Sequence, residues 1–194
     1  MKKLLFSLLA LAPLALFAQT NTWTLDPAHS AVKFDVTHLV ISSVEGRFNK
    51  FTGGLTANKP DFSDAQINFS VDVNSINTDN EGRDKHLKTD EFFNVEKYPN
   101  MTFKSTAFKK VSGNKYTLVG DLTIRDVTKK VTFDVVYGGT AKDPWGNMRA
   151  GFKATSTINR FDYNLKWDKA TEAGGMVVDK IVNITLTLEF VQGK

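Results

Sequence analysis

The sequence has no cysteine among its 194 residues. A disulfide framework, a lipid anchor on cysteine and a thiol nucleophile are therefore excluded, and the fold must be stabilised by its core. No G-x-S-x-G motif marks a serine nucleophile. Histidine occurs only three times, with neither an H-E-x-x-H motif nor an i, i+4 pair. These absences remove the commonest sequence signals of hydrolases and metalloenzymes.

The sequence also has no large excess of either positive or negative charge. The formal net charge is +4, and two of the positive charges are Lys2 and Lys3 at the N-terminus. No run of basic residues is interleaved with aromatic ones, as a nucleic-acid groove requires. We therefore expect no nucleic-acid partner.

Long apolar runs are absent except for Leu4–Phe17, which follows the two lysines and is followed by the small residue Ala18. This pattern is typical of a cleaved secretory signal peptide, and the run is too short for a stable membrane anchor. We predict that residues 1–18 are removed and that residues 19–194 form one domain. We expect the protein to be exported to a bacterial periplasm.

Alternation of apolar and polar residues covers most of the remaining chain. In Ala31–His38, for example, Val32, Phe34, Val36 and His38 share one face. About eight such segments follow one another, mostly through short connections, and no repeat or linker divides them. The pattern predicts an all-β antiparallel domain, either a barrel or a sandwich.

The predicted inward faces combine phenylalanines with small residues, namely Gly46, Ser105, Gly120, Ala154 and Ser156. An eight-stranded barrel encloses an interior that is filled by side chains or holds one slender ligand. Small residues among rings are compatible with a tunnel. They are equally compatible with a solid core in which they accommodate neighbouring rings. Alternation alone leaves both interpretations open.

One long segment, Asn80–Pro99, breaks the alternation with the sequence NEGRDKHLKTDEFFNVEKYP. Insertions of this length in a compact domain are commonly functional, and its two adjacent phenylalanines argue against disorder. We predict a short helical turn and a lid over a cavity, closed by those rings. Arg83 and Asp84 either tie this insert to the barrel by ion pairs, or Arg83 or His86 contacts a polar head group at the cavity mouth.

The three histidines carry no metal-site spacing, so we predict no metal site and no catalytic residue. His29 belongs to Asp26–Ser30, whose composition is typical of a hydrogen-bonded turn. His38 is placed by alternation on an apolar face, where it is either a hydrogen-bonded core residue or a contact for a head group. Two alternatives stay open: a metal-assisted hydrolase that uses the histidines, and an interaction module with a solid core.

Short motifs along the whole of residues 19–194 resemble, in order, those of one known family. The motifs are W-T-L-D-P-A-H-S (Trp23–Ser30), F-D-V-T-H (Phe34–His38), V-E-G-R-F (Val44–Phe48), S-I-N-T (Ser75–Thr78), R-D-K-H-L-K (Arg83–Lys88), F-F-N-V-E-K-Y-P (Phe92–Pro99), T-F-K-S-T (Thr102–Thr106), G-D-L-T-I (Gly120–Ile124), V-T-K (Val127–Lys129) and D-P-W-G (Asp143–Gly146). The chain resembles the YceI-like family of exported polyisoprenoid-binding proteins.

The resemblance implies a single eight-stranded antiparallel, lipocalin-like barrel with an elongated apolar tunnel and a short helical insert near residues 80–99. It implies a non-enzymatic carrier that holds the tail of an isoprenoid, polyprenyl or quinone-like, or of another long-chain amphiphile. The head group would lie near the mouth. No cofactor is expected beyond that lipid, and a homodimer is consistent with the family.

Two departures from the family pattern concern the rim more than the fold. Asp126 stands where glycine is usual, and Phe161–Asn164 follows Arg160 where an aspartate-phenylalanine-glycine run is commoner. The head-group preference is therefore the property that we expect to differ.

Under this interpretation, alternation and the insert together nominate the site residues. The predicted tunnel lining is Phe34, His38, Phe48, Phe69, Phe92, Phe93, Phe103, Leu118, Phe133, Phe152 and Leu186. The predicted head-group contacts are Arg83, His86 and Arg160.

Overall fold

The computed structural model describes residues 21–170 and 175–193, so the predicted signal peptide, residues 1–18, lies outside the described residues. The alternating segments form strands. They are β1 (Asn21–Leu25), β2 (Ala31–His38), β3 (Ser42–Phe48), β4 (Phe51–Ala57), β5 (Gln66–Asp72), β6 (Ile76–Asn77), β7 (Asn100–Ser112), β8 (Lys115–Ile124), β9 (Val127–Lys142), β10 (Met148–Asn159) and β11 (Val178–Gln192). The α-helix is α1 (Glu81–Lys88), and 3₁₀ turns occupy Pro27–His29, Val73–Ser75 and Arg160–Tyr163.

These segments build eight wall strands of an antiparallel barrel. Both β1 and β2 pair with β11, so they are two halves of one strand interrupted by the turn at Pro27–His29. Beside them β3 and β4 form a second interrupted strand, and β5 and β6 form a third. The remaining five strands follow as a meander. The sheet closes because β1 pairs with both β4 and β11, which confirms the predicted barrel.

The connections between wall strands gather at two ends of the barrel. The mouth end carries the β2–β3 hairpin, the Asn80–Pro99 insert, the β8–β9 turn and the β10–β11 connection. The closed end carries the β4–β5, β7–β8 and β9–β10 connections, together with the start of β1 and the end of β11. The predicted insert therefore lies at the mouth end.

Aromatic rings fill the closed end. The ring centroids of Phe108 and Tyr116 are 4.9 Å apart, those of Tyr137 and Phe152 are 5.1 Å apart, and Phe62 packs edge-on to Phe152 at 5.4 Å. The Tyr116 hydroxyl, which would otherwise be unpaired here, donates to the Asp61 carbonyl oxygen at 2.7 Å. We call this set the aromatic plug; its members are Trp23, Phe62, Phe108, Tyr116, Tyr137, Phe152 and Phe190.

The helix of the insert begins and ends with capping interactions that its sequence supplies. The Asn80 side chain accepts a hydrogen bond from the Arg83 amide at 2.9 Å, which satisfies one free donor of the first turn. Acidic residues occupy the first turn and basic residues the last, as the helix dipole favours. The predicted short helix is confirmed. Within the described ranges, no helix is long and apolar enough to cross a bilayer.

Candidate functional site

Three adjacent cavities extend from the middle of the barrel to its mouth. The inner cavity, about 120 Å³, is walled by apolar side chains including Phe69, Leu118 and Phe133. The middle cavity, about 110 Å³, lies under the insert, whose Phe92 and Phe93 line it. The outer cavity, about 200 Å³, reaches the mouth. The series has the apolar lining that is typical of ligand pockets.

One ring, Phe34, lines all three cavities and is the partition between them. Phe48, Met101, Ile124 and Ile184 line both the inner and the middle cavity. Together, the three volumes fall within the range of about 300–1,000 Å³ that small-molecule sites occupy.

Glycines keep this lumen open by letting rings lie against the wall. A Cβ atom at Gly46 would lie 2.3 Å from the ring of Phe34, its partner across β2 and β3. At Gly53 the ring of the cross-strand partner Phe69 would be 2.6 Å away. A Cβ atom at Gly120 would meet the ring of Phe103 at 2.2 Å. The small residues therefore do accommodate neighbouring rings, and in doing so they leave space along the barrel axis.

The structure brings most of the predicted tunnel residues to these cavities, although their contact with a lipid stays a prediction. The residues that line at least one cavity are Phe34, His38, Phe48, Phe69, Phe92, Phe93, Phe103, Leu118, Phe133 and Leu186. Sequence reasoning missed Leu165 and Trp167, which reach the middle and outer cavities from the irregular chain before β11. No alternation marks that segment, so no periodic signal identifies them.

Phe152 is placed differently from this set. It points inward, as alternation predicts, but it lies in the aromatic plug and lines none of the three cavities. The reason is its level along β10: Phe152 pairs with Leu188, towards the closed end, whereas Ala154 lies next to the inner cavity. Alternation assigns the face of a strand but not the depth at which a side chain enters the barrel.

Arg83 and Asp84 both bind Thr78, the residue that follows β6. The Arg83 guanidinium donates to the Thr78 hydroxyl at 2.8 Å and to its carbonyl oxygen at 2.7 Å. One carboxylate oxygen of Asp84 accepts from the Thr78 amide at 2.9 Å and from its hydroxyl at 2.6 Å. Of the two alternatives for these residues, a tie to the barrel is present, but it is made by hydrogen bonds to one buried threonine rather than by ion pairs. Arg83 also lines the outer cavity.

The two histidines at the mouth end have different partners. His86 contacts the Glu91 carboxylate through Nε2 and packs edge-on against the rings of Phe92 and Trp167, at 5.0 and 5.6 Å between centroids. His38 is half-buried, and its imidazole has no hydrogen-bond partner among residues 21–170 and 175–193. Both line the outer cavity. Within the described ranges, His38 is thus a polar side chain of the outer cavity whose imidazole is available to a ligand.

Arg160 is buried, and its guanidinium donates hydrogen bonds to the backbone around it. It donates through Nε to the Asp179 carbonyl oxygen, through Nη2 to that of Val178, and through Nη1 to those of Leu165 and Trp167, over 2.7–2.9 Å. Four of its five N–H donors are therefore used by backbone carbonyl oxygens of the β10–β11 connection and of the first two residues of β11. Burial lowers the pKa of Arg160. The four hydrogen bonds to carbonyl oxygens account for a buried guanidinium at this position without a contact to a lipid head group.

A second arginine, which sequence reasoning did not nominate, has the same kind of role. Nη1 of Arg125 donates to the carbonyl oxygens of Asp90, Phe92 and Asn164 over 2.8–3.2 Å. The first two belong to the insert and the third to the β10–β11 connection, so Arg125 joins the two irregular segments of the mouth. It lies in a two-residue turn with φ of 55°, and nothing in the local sequence indicates this reach.

A family model described as YceI-like domain matches residues 23–190. The chain belongs to the YceI-like family. It is 38% identical to the UPF0312 protein SA2479 of Staphylococcus aureus over 171 residues, which cover 88% of this chain and 97% of that relative. A solved structure of the Campylobacter jejuni YCEI protein superposes with a TM-score of 0.69 at 29% identity, covering 81% of this chain and 90% of the other.

Two more distant solved structures share the fold. Burkholderia cenocepacia BcnA superposes with a TM-score of 0.74 at 23% identity, covering 85% of this chain and 98% of its own. A polyisoprenoid binding domain from Saccharophagus degradans superposes with a TM-score of 0.65 at 17% identity, covering 88% and 98%. The three cavities occupy the interior of this shared barrel.

The two departures from the YceI-like pattern lie against each other. Asn164 adopts the left-handed conformation with φ of 61°, and its side-chain amide donates to the Asp126 carboxylate at 3.3 Å. That hydrogen bond is the main reason why the pKa of Asp126 is lowered. The altered turn and the altered rim are therefore one coupled feature at the mouth end.

The histidines do not gather into a metal centre in the described part of the chain. His29 lies at the closed end, where it forms a possible ligand set with Asp26 and Glu189. The Arg149 guanidinium already occupies that set, donating to Asp26 at 2.7 Å, to Glu189 at 2.5 Å and to Asp143 at 2.9 Å. The positively charged Arg149 side chain lies where a cation would bind, so this cluster is a network of ion pairs rather than an open metal site.

Proposed function

We propose that this protein is an exported carrier of a long-chain lipid, an isoprenoid or a similar amphiphile, and that it performs no chemistry on it. The observation that carries the proposal is the series of apolar cavities from the middle of the barrel to the mouth. The predicted signal peptide supports export to the periplasm. The polyisoprenoid binding named for the Saccharophagus degradans domain supports the ligand class.

Tail burial would supply the affinity. Each buried methylene contributes about 0.8 kcal/mol, so a few isoprene units exceed the association cost of about 4–15 kcal/mol. The walls offer the tail only apolar surface and flat rings, which bind by contact area and discriminate weakly between chains of similar width. This arrangement suits a carrier that must also release its ligand.

The head group would lie in the outer cavity beside His38. Arg83 and His86 line the same space, but the first is hydrogen-bonded to Thr78 and the second to Glu91. An imidazole without a protein partner can donate a hydrogen bond to a ligand or accept one from it, which suits a carbonyl or hydroxyl head group. Isoprenoid quinones and polyprenols have such groups.

Native mass spectrometry tests the proposal. Protein purified from its own periplasm, or incubated with an isoprenoid quinone, should carry one lipid per barrel. His38→Ala should weaken retention of the quinone about tenfold by removing one hydrogen bond in an apolar site. Protein that is free of lipid when isolated, and remains so after incubation, would refute the carrier function.

The same preparation tests export and assembly. N-terminal sequencing should find Gln19 as the first residue if cleavage follows Ala18. The mass of the intact assembly reports whether the expected homodimer exists. An uncleaved chain that fractionates with the cytoplasm would contradict the periplasmic location.

A further inference from the structure

The tip of the β2–β3 hairpin exposes three consecutive apolar side chains, Leu39, Val40 and Ile41, which we call the apolar tip. Their exposed fractions are 38%, 73% and 84%. Among the described residues, the other exposed large apolar side chains stand apart from one another in the sequence: Val111, Val136, Trp145 and Ile181. Single exposed apolar residues are ordinary, whereas a contiguous group indicates a contact surface.

The backbone of the apolar tip does not favour the residues that occupy it. Leu39 and Val40 have φ of 52° and 66°, in the left-handed region. Glycine and asparagine adopt that region readily, and a β-branched residue such as valine does so rarely. A turn that only reversed the chain would be more stable with asparagine or glycine at both positions. Local strain of this kind is typical of functional segments.

The apolar tip is continuous with the mouth of the cavity series. His38, which immediately precedes it, lines the outer cavity. The Leu39 amide donates to the Val177 carbonyl oxygen at 2.9 Å, and Val177 lines the same cavity. A surface that covered the apolar tip would therefore also lie at the opening through which a lipid enters.

We infer that the apolar tip inserts into the interfacial region of a lipid bilayer and holds the mouth against it while a lipid passes. This inference rests on the proposed carrier function, because the ligand of such a carrier resides in a membrane. Exposing a long apolar chain to water becomes less favourable with every methylene, so transfer is easiest where the mouth meets the bilayer.

The binding should be driven by apolar burial rather than by charge. The nearby helix α1 carries both Glu81 and Asp84 in its first turn and Lys85 and Lys88 in its last. Such a mixed surface does not select anionic lipids, whereas bulky apolar side chains enter the boundary between head groups and acyl chains. Vesicles of neutral phosphatidylcholine should therefore suffice.

Flotation with phosphatidylcholine vesicles tests the inference. A triple variant, Leu39→Asn, Val40→Asn and Ile41→Asn, should reduce the vesicle-bound to free ratio by about 10- to 100-fold, since it removes the inserted side chains. It should unfold at the same or a higher temperature, because asparagine accepts the positive φ. The matched control changes Val111 and Trp145 to Asn at the closed end and should float like the unaltered protein.

A second readout separates this inference from the carrier function. The triple variant should load an isoprenoid quinone from detergent as well as the unaltered protein does, yet extract it from donor vesicles at least tenfold more slowly. If neither protein retains the quinone from detergent, the carrier function fails while flotation still reports on the apolar tip.

Three results would overturn the inference. The triple variant could float as well as the unaltered protein. Flotation of the unaltered protein could be absent, or it could be abolished by 0.5 M salt. Salt screens charge but not apolar burial, since the Debye length falls from about 8 Å at 0.15 M to about 3 Å at 1 M. The unaltered protein could instead be a dimer in solution and the variant a monomer, which would make the apolar tip an interface between copies of this chain.

Discussion

The two ends of this barrel are built from the same residue types and reach opposite outcomes. At the closed end, rings face rings at 4.9–6.4 Å and fill the interior. In the middle and towards the mouth, Phe34, Phe69 and Phe103 also each contact a neighbouring ring, at 5.5–5.9 Å, but they lie over glycines of neighbouring strands and cavities remain beside them. The difference shows that the neighbour of an inward phenylalanine, rather than the phenylalanine itself, decides whether a barrel is filled.

The two ends also differ in how their irregular segments are fastened. At the closed end, Arg149 forms ion pairs with Asp26, Asp143 and Glu189, which come from three separate parts of the chain. At the mouth end, Arg125 and Arg160 donate to backbone carbonyl oxygens. Carbonyl oxygens do not titrate, so the hydrogen bonds of Arg125 and Arg160 should persist at pH values where the ion pairs of Arg149 are lost.

A matched pair of truncations should show the largest difference between the ends. Phe152→Ala removes a ring from the aromatic plug and should lower the free energy of unfolding by about 3–5 kcal/mol. Phe34→Ala should cost only about 1–2 kcal/mol, because part of its ring already faces a cavity and has fewer contacts to lose. Urea unfolding measures both. Equal losses would mean that the cavities are not a real difference between the ends.

At the mouth end, replacing the buried guanidinium of Arg160 should lower the free energy of unfolding nearly as much as Phe152→Ala does. Arg160→Met leaves four carbonyl oxygens without their donors, and we expect a loss of about 3 kcal/mol. Arg160→Lys keeps the charge but loses the fork geometry, so it should recover only part of that loss. Thermal unfolding of both variants, with the exposed Lys180→Met as control, checks this. A stable Arg160→Met protein would show that the backbone here needs no anchor.

A methyl group at position 46 should reduce the space inside the barrel next to Phe34, so that this region resembles the filled, closed end. Gly46→Ala pushes the Phe34 ring into the lumen, so lipid affinity should fall about tenfold while stability changes by less than about 1 kcal/mol. The clash is with the ring alone. Titration with an isoprenoid quinone measures the affinity.

Gly120→Ala is a second variant whose stability can be compared with that of Gly46→Ala. A Cβ atom there also meets the Lys104 carbonyl oxygen at 2.6 Å, which cannot rotate away, so this variant should lose about 1–3 kcal/mol of stability. Unchanged lipid affinity in a well-folded Gly46→Ala protein would contradict the role assigned to the glycine.

The smallest expected effect is the acid sensitivity of the closed end. Hydrogen bonds from His29 and Arg149 lower the pKa of Asp26 to about 2 from its ordinary 3.8. A lowered pKa means that the folded state favours the carboxylate, so the stabilisation is present above pH 3.8 and is lost as the pH falls towards 2. We expect a loss of about 1 kcal/mol over that window after allowance for solvent screening.

Urea unfolding at pH 6, 4 and 2.5 measures this dependence. Asp26→Asn should have a smaller loss of stability between pH 4 and 2.5, whereas Asp79→Asn at the mouth end should behave like the unaltered protein. The same acid loss in all three proteins would assign the pH dependence to other groups.

Much of the architecture was predictable from local pattern. Alternation in segments such as Ala31–His38 identifies strands and their inward faces, and the break in alternation at Asn80–Pro99 indicates the insert that contains α1. The eight-stranded barrel was predicted through the family resemblance, and the ligand class that it implies stays a prediction. The depth of Phe152 and the partners of Arg160 were not, because both depend on which strands lie opposite.

Arg125 and Trp167 are the clearest examples of what local pattern does not reveal. Both act on segments distant in sequence: Arg125 holds carbonyl oxygens of residues 90, 92 and 164, and Trp167 packs on His86 and Phe92. Hydrogen bonds and ring contacts of this kind carry no sequence period. They arise only when the closed sheet brings the two irregular segments together.

By itself, then, the sequence of this protein determined which residues face inward, because side-chain direction in a strand depends only on the backbone repeat. Only the tertiary structure decided which inward rings lie over Gly46, Gly53 and Gly120 and which are surrounded by other rings. Those neighbours are set by strand register across the closed barrel. That register separates the solid end of the molecule from the end that contains the cavities.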